Sequence, residues 1–426
     1  MRTLATVNGR ASLASQIVLG GLIAAWAAAA SLFLLHRIVV SNDSLSNYGH
    51  VWLISEHIRE HHWLPWTLPA LLHGDAQAYP YGFIPWTLAA LLHPWLGDWV
   101  STAWMVVGTT GVIAGTFAAF PEVRKPLTAA CVLANPVLVE MFILFQMPFS
   151  WAAALFLFAV WAFRRERTVT AVVLAGAAQA THPAVLMPIV LAAVALAYWK
   201  QPARRRELTI CYAASVAIAL PAAIVVLTSP AVEDASRSTI AANLVGTVAW
   251  RSLVFVVPAA IAVAGSRRSG WLAGCAGALI ALNLLLVPLR HNAFAWGLFF
   301  REPDGQVAAF ARSPDFEPGA TYRILRAGDG KVGMYQLVRA GAQLDSEFFP
   351  ESIDRRSWPS ERAYATFLES RSVEYVMIFS NYDRTFGTNE GSLLETMAEE
   401  RCATVIRRNV QYVVYRVTPG ECGALP

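Results

Sequence analysis

Long apolar runs recur from about residue 14 to about residue 290, and that recurrence decides the architecture. Crossing hydrocarbon takes about 20 mostly apolar residues. In a single chain segment only a helix can then satisfy its own backbone. Charged residues make up 15% of the chain and mean hydropathy is +0.45, whereas soluble domains carry about 25% charged residues. The expected fold class is therefore mainly α, a polytopic helical membrane bundle. We predict about nine spans, at 14–40, 99–119, 127–145, 148–163, 168–181, 184–199, 207–228, 249–265 and 270–289. The fifth is short, and the fifth and sixth meet at His182-Pro183, where a break is expected.

The basic residues give the orientation. Arg2 and Arg10 precede the first span. Arg124 and Lys125 follow the second, Arg164, Arg165 and Arg167 the fourth, Lys200, Arg204, Arg205 and Arg206 the sixth, and Arg267 and Arg268 the eighth. All share one side under a nine-span count, and cytoplasmic loops are the Lys/Arg-rich ones. The net charge of +4 thus reflects membrane sorting and points to no nucleic-acid partner. The loop Ser41–Asp98 and everything after Arg290 fall outside. Residues 82–96 are apolar but too short to span, and counting them would split the basic clusters. They read as a helix at the outer interface. The apolar run near the N-terminus is too long for a cleavable signal peptide.

From about residue 301 the chain is charged and aromatic. Domains are therefore expected at 1–300, in the membrane, and 301–426, a small extracytoplasmic α+β domain. Strands are predicted at 322–328, 332–338, 373–379 and in a pair over 403–417, with helices at 360–371 and 390–401. Cys131, Cys211 and Cys275 fall in apolar spans, whereas Cys402 and Cys422 bracket the last strand pair in an oxidising compartment, where a disulfide is expected.

The loop after the first span carries the chemistry. Asp43 lies just past that span, in SNDSLSNYGH. Asn42, Asp43 or Ser44 can cap the helix predicted at 45–60. A carboxylate against apolar walls is also a stronger base than in water, fit to take a proton from an acceptor hydroxyl. Leu45, Tyr48, Trp52, Ile54 and Ile58 give that helix a partly apolar stripe suited to an interface. His57 and His61 are four apart on one face, as are Glu56 and Glu60. The His pair is the candidate ligand set for a divalent metal, although a solvated helix face explains it better. All nine His fall in outer loops or near outer span ends under this topology: 36, 50, 57, 61, 62, 73, 93, 182 and 291. That bias points to a polar cavity open to the outside. Arg251 begins the eighth span, Arg290 ends the ninth and Arg237 lies in the loop before the eighth. Such cations can hold an anionic headgroup or diphosphate, or simply snorkel. Glu140 and Gln146, between the third and fourth spans, can line the same cavity.

The loop reads Asp43-x6-His50, an apolar-periodic helix, His62-Trp63-Leu64-Pro65-Trp66, His73-Gly74, Tyr79-Pro80-Tyr81-Gly82 and Pro85. This resembles the first outer loop of the glycosyltransferase C superfamily, in particular its bacterial branch with a C-terminal outer domain. Asn135-Pro136 looks like the Pro break common in their third span. The resemblance covers about residues 15–200. It implies a hexosyl- or pentosyltransferase that uses a polyprenyl-phosphate-linked sugar at the outer face of the cell membrane. Asp43 would be the general base and His50 would line its pocket. Many members carry two acids there, but Ser44 follows Asp43, so Glu56 or Asp75 would be the second. His57, His73 and Tyr79 belong to the same substrate-binding loop, and His182, Arg251 and Arg290 would hold phosphate.

The leading reading is thus inverting sugar transfer from a lipid-linked donor to a glycan, lipid or protein acceptor. The alternative is a non-catalytic flippase, transporter or assembly factor for envelope glycolipid or polysaccharide. Transporters tend to show inverted repeats and midplane charges, and this chain has no repeat and few such charges. A metal-dependent phosphotransferase built on the His/Glu helix is a third reading.

Overall fold

The computed structural model describes residues 2–41, 43–227, 237–264, 275, 277–283, 305–325, 331–348 and 356–418. They form two compact units. One runs to Ser44 and resumes at Tyr79 through the membrane helices; the other joins Leu45–Ala78 to the described residues from Gly305 on.

The membrane unit contains α1 (Arg2–Leu35), α3 (Phe83–Leu96), α4 (Trp99–Ala119), α5 (Pro126–Leu133), α6 (Pro136–Ile143), α7 (Met147–Arg164), α8 (Thr168–Thr181), α9 (Pro183–Lys200), α10 (Arg205–Leu227) and α11 (Arg237–Ala264). Six of the described helices are long and apolar enough to cross a membrane, or seven if α5 and α6 form one bent span. α5 and α6 meet at 43°. Pro136 cannot continue the hydrogen-bond ladder, and Asn135 caps the new helix by accepting from the Val137 N–H at 3.0 Å. α8, the expected fifth span, has 14 residues, about 21 Å at 1.5 Å per residue. α3 is equally short, in keeping with a non-spanning helix. The expected ninth span lies largely outside the described residues.

Small residues let the helices approach closely. Gly108, Gly111 and Gly115 line the face of α4 against α7, where a Cβ on Gly115 would sit 2.9 Å from Leu157 Cβ and one on Gly108 would collide with Ser150. Small residues at such intervals are a standard membrane packing device. One end of the bundle gathers the basic clusters. Arg164 donates to Glu122 Oε1 at 2.8 Å, and Arg204 donates to Glu207 (2.8 Å) while lying over the Phe163 ring. This juxtaposition agrees with the shared side expected from the charge pattern.

The second unit is built on a five-stranded sheet of order β2-β1-β3-β5-β4, comprising β1 (Thr321–Leu325), β2 (Gln343–Leu344), β3 (Tyr375–Phe379), β4 (Ala403–Arg408) and β5 (Tyr412–Val417). β1, β2 and β3 are parallel and β3, β5 and β4 antiparallel. β1 and β3 are buried at every position, as expected of parallel strands covered on both faces. The helices Glu361–Ser370 and Glu390–Glu399 lie where the sequence suggests. Residues 332–338 do not form the expected strand; Lys331–Arg339 is a helix. A parallel β1–β2 pair needs a crossover connection, and Met334, Tyr335, Leu337 and Val338 bury one helical face there. Short apolar runs do not distinguish helix from strand by period alone. Cys402 is disulfide-bonded; Cys422 lies outside the described residues. Cys131, Cys211 and Cys275 carry thiols.

The segment Leu45–Ala78 of the first loop is part of this α/β unit. α2 (Ser44–His61) places Gly49 against Phe348, where a Cβ would lie 2.5 Å from the ring. Ser46 Oγ donates to Phe348 O at 3.2 Å, Arg339 lies over the Trp52 ring, and Leu71 forms a parallel bridge to Leu344. Residues 45–78 and the described residues from Gly305 on therefore belong to one unit. The expected interfacial stripe on α2 is also corrected. Ser44–Val51 are buried on every face, because Ser44, Ser46, Asn47 and Gly49 are small and uncharged enough for close packing.

Candidate functional site

At the end of the membrane unit opposite the basic clusters, four chain segments converge. His182 sits between α8 and α9, and Pro183 after it disfavours helical geometry; its φ/ψ of −146°/73° breaks the chain there. Gly82 donates its N–H to Thr181 O at 2.7 Å. It adopts φ +79°, and a Cβ would come 2.8 Å from the Trp86 ring. That requirement for glycine brings Tyr81 alongside His182, and the two rings stack at 5.4 Å and 13°. Phe149, in the first turn of α7, meets His182 edge-on at 6.1 Å.

Arg251 on α11 closes the arrangement. Its Nη1 donates to His182 Nε2 at 2.9 Å, and its guanidinium lies 4.9 Å from the Phe149 ring centroid. Arginine only donates, so His182 Nε2 must accept and the neutral ring carries its proton on Nδ1. That Nδ1 is buried with no hydrogen-bond partner among the described residues. Leaving such a donor unmet costs about 1–3 kcal/mol, which an anionic ligand oxygen would recover.

Arg251 also interacts electrostatically with Asp43, Tyr81 and Glu140. Asp43 is half-buried, and its backbone N–H donates to Leu144 O at 3.1 Å, one turn beyond Glu140. Glu140 accepts from Trp250 Nε1 at 2.7 Å. Two carboxylates thus lie within electrostatic reach of one guanidinium, which in turn fixes an imidazole.

Of the residues singled out in the sequence, Asp43, His182 and Arg251 come together here. Tyr79 is a neighbour in sequence only: it is buried, its Oη accepts from Thr87 Oγ1 at 3.3 Å, and burial pushes its phenol up to about 12. The other loop residues belong to the α/β unit. His50 is buried with Nδ1 2.8 Å from Ser46 O. Glu56 pairs with Arg59, and His73 and Asp75 are exposed. The His57 and His61 rings lie 4.4 Å apart, and burial together with His61 lowers the affinity of His57 for a proton. Among the described residues, no group of three or more His, Cys, Asp or Glu is arranged to hold a metal. Arg290 lies outside the described residues. Sequence reasoning missed Phe149 and Trp250, and it quoted Tyr81 in the loop motif without placing it in the site. Glu140, noted only as a cavity residue, had one signal: a lone acid within an apolar helix.

No family model and no curated protein matches the chain. The crystal structure of ArnT from Cupriavidus metallidurans bound to undecaprenyl phosphate aligns over 93% of this chain and 98% of its own, at 14% identity and a TM-score of 0.51. The chain shares the fold of that protein. The Archaeoglobus fulgidus oligosaccharyltransferase, solved with Zn and sulfate, aligns over 85% of this chain and 66% of its own, at 13% identity and a TM-score of 0.44.

Proposed function

We propose that the chain is a membrane glycosyltransferase that moves a sugar from a polyprenyl-phosphate donor to an acceptor hydroxyl, with inversion. The observation that carries this reading is the convergence of Asp43 and Glu140 on Arg251, which itself holds His182. The undecaprenyl phosphate in the ArnT structure supports the donor class. The site lies at the bundle end opposite the basic clusters, which the positive-inside rule assigns to the outer face. The α/β unit is then extracytoplasmic and available to a glycan, lipid or protein acceptor.

In this reading Asp43 takes the proton of the acceptor hydroxyl as its oxygen attacks the anomeric carbon. The bond from that carbon to the phosphate oxygen breaks on the opposite face, which inverts the configuration. Polyprenyl phosphate leaves with the bonding electron pair. Arg251 and the His182 Nδ1–H are placed to meet the charge that develops on it. Glu140, held by Trp250, balances the charge of Arg251.

The test uses purified full-length protein in proteoliposomes with a panel of labelled polyprenyl-phosphate hexoses and pentoses and envelope-derived acceptors. Transfer with inverted anomeric configuration in the product is expected. Movement of the intact donor lipid across the bilayer without sugar transfer would favour the flippase alternative instead.

A further inference from the structure

The membrane unit holds a cavity away from the Arg251–His182 cluster. It has a volume of about 570 Å³ and lies between α1, α4 and the α5–α6 pair, with Arg124 among its lining residues. That volume is within the range of about 300–1,000 Å³ typical of ligand pockets. Its walls are fixed by polar and aromatic contacts across the helices. Trp26 Nε1 donates to Leu133 O at 3.0 Å, and the Trp26 and Phe142 rings meet edge-on at 5.5 Å. The interior is apolar, built from residues such as Ile23, Ala27, Ile113 and Phe117.

We propose that this groove binds one anionic glycerophospholipid from the leaflet on the Arg124 side, an acyl chain in the groove and the phosphate at Arg124. Charge complementarity selects this occupant over a neutral lipid. Arg124 Nε is used on Phe117 O at 2.9 Å, which anchors the side chain at the end of α4 and leaves its two terminal nitrogens for a bidentate phosphate contact. The nearby acid, Glu122, is taken by Arg164 at 2.8 Å. Arg124 itself makes no ion pair among the described residues. Lys125 adds a second positive charge at the same level of the chain. The catalytic cluster lies at the opposite end of the bundle, so this lipid is distinct from the donor.

The full-length protein is purified from vesicles of equal dioleoyl-phosphatidylglycerol and dioleoyl-phosphatidylcholine, with a trace of undecaprenyl phosphate. Retained lipid is then measured by native mass spectrometry. About one phosphatidylglycerol per chain is expected, enriched at least fivefold over phosphatidylcholine. Arg124→Gln should abolish the enrichment, Arg124→Lys should keep part of it, and Ala27→Phe should displace the lipid altogether. Ala27 is exposed, so that substitution fills the groove without crowding the core, and unchanged thermal unfolding verifies folding. Equal retention of the two phospholipids, an Arg124→Gln variant that keeps the enrichment, or undecaprenyl phosphate retained in place of phosphatidylglycerol overturns the proposal.

Discussion

Replacing Arg251 with Gln tests how the cluster works. The guanidinium makes a charge-assisted bond to His182 at 2.9 Å, worth about 1.5–3 kcal/mol. It also packs over Phe149, worth about 0.5–2 kcal/mol. Gln can replace neither its charge nor its fork. If Arg251 also meets the leaving phosphate, its loss removes one preorganised donor from the transition state, about 2.7–4 kcal/mol. That corresponds to a fall of about 10²–10³ in kcat. Loss of the proton-fixing bond would also free the His182 tautomer, so part of the defect should appear in donor KM. Initial rates in proteoliposomes, with kcat and KM separated, give the readout. Arg251→Lys restores charge without the fork and should fall between the two. An Arg251→Gln enzyme within threefold of wild type, with unchanged thermal unfolding, would refute the reasoning.

The α/β unit yields two stability predictions. Burial pushes the Glu347 carboxyl up to about 7, against about 4.3 in an unfolded chain. The folded state therefore holds a proton the unfolded state has lost, so stability is full below about pH 4.3 and declines as pH rises through 7. Up to about 4 kcal/mol is at stake; Glu347→Gln should leave unfolding unchanged at pH 4 and raise the midpoint at pH 8 in pH-resolved thermal scans. Arg323 is fully buried and donates to Asp345 at 2.7 Å and to Glu390 at 2.9 and 3.1 Å. Arg323→Met strands two carboxylates and should cost about 3–5 kcal/mol by denaturant titration, with partial recovery when Glu390→Gln is added.

How much of this was legible follows from range. Apolar span length, the Asn135-Pro136 bend and the basic clusters are local signals, and the helices formed where those signals lie. The strand expected at 332–338 failed because only the parallel pairing of β1 with β2, a non-local fact, makes it a crossover helix. α2 read as a lipid-facing stripe because its true cover, including Phe348, lies some three hundred residues away. The site shows the same limit. Asp43, His182 and Arg251 each carried a chemical signal of their own. Tyr81 joins them only through the Gly82–Thr181 bond, and Glu140 through Trp250. No spacing rule in one sequence reports either link.

The central claim is that Asp43 is the base of a sugar transfer. Its most direct test is the turnover of Asp43→Asn, measured alongside donor binding to the same preparation. Loss of a positioned base costs about 10²–10⁴-fold, so turnover should fall by that factor while donor binding stays within a few-fold of wild type. Turnover equal to wild type, in a folded protein that binds donor normally, would contradict the account.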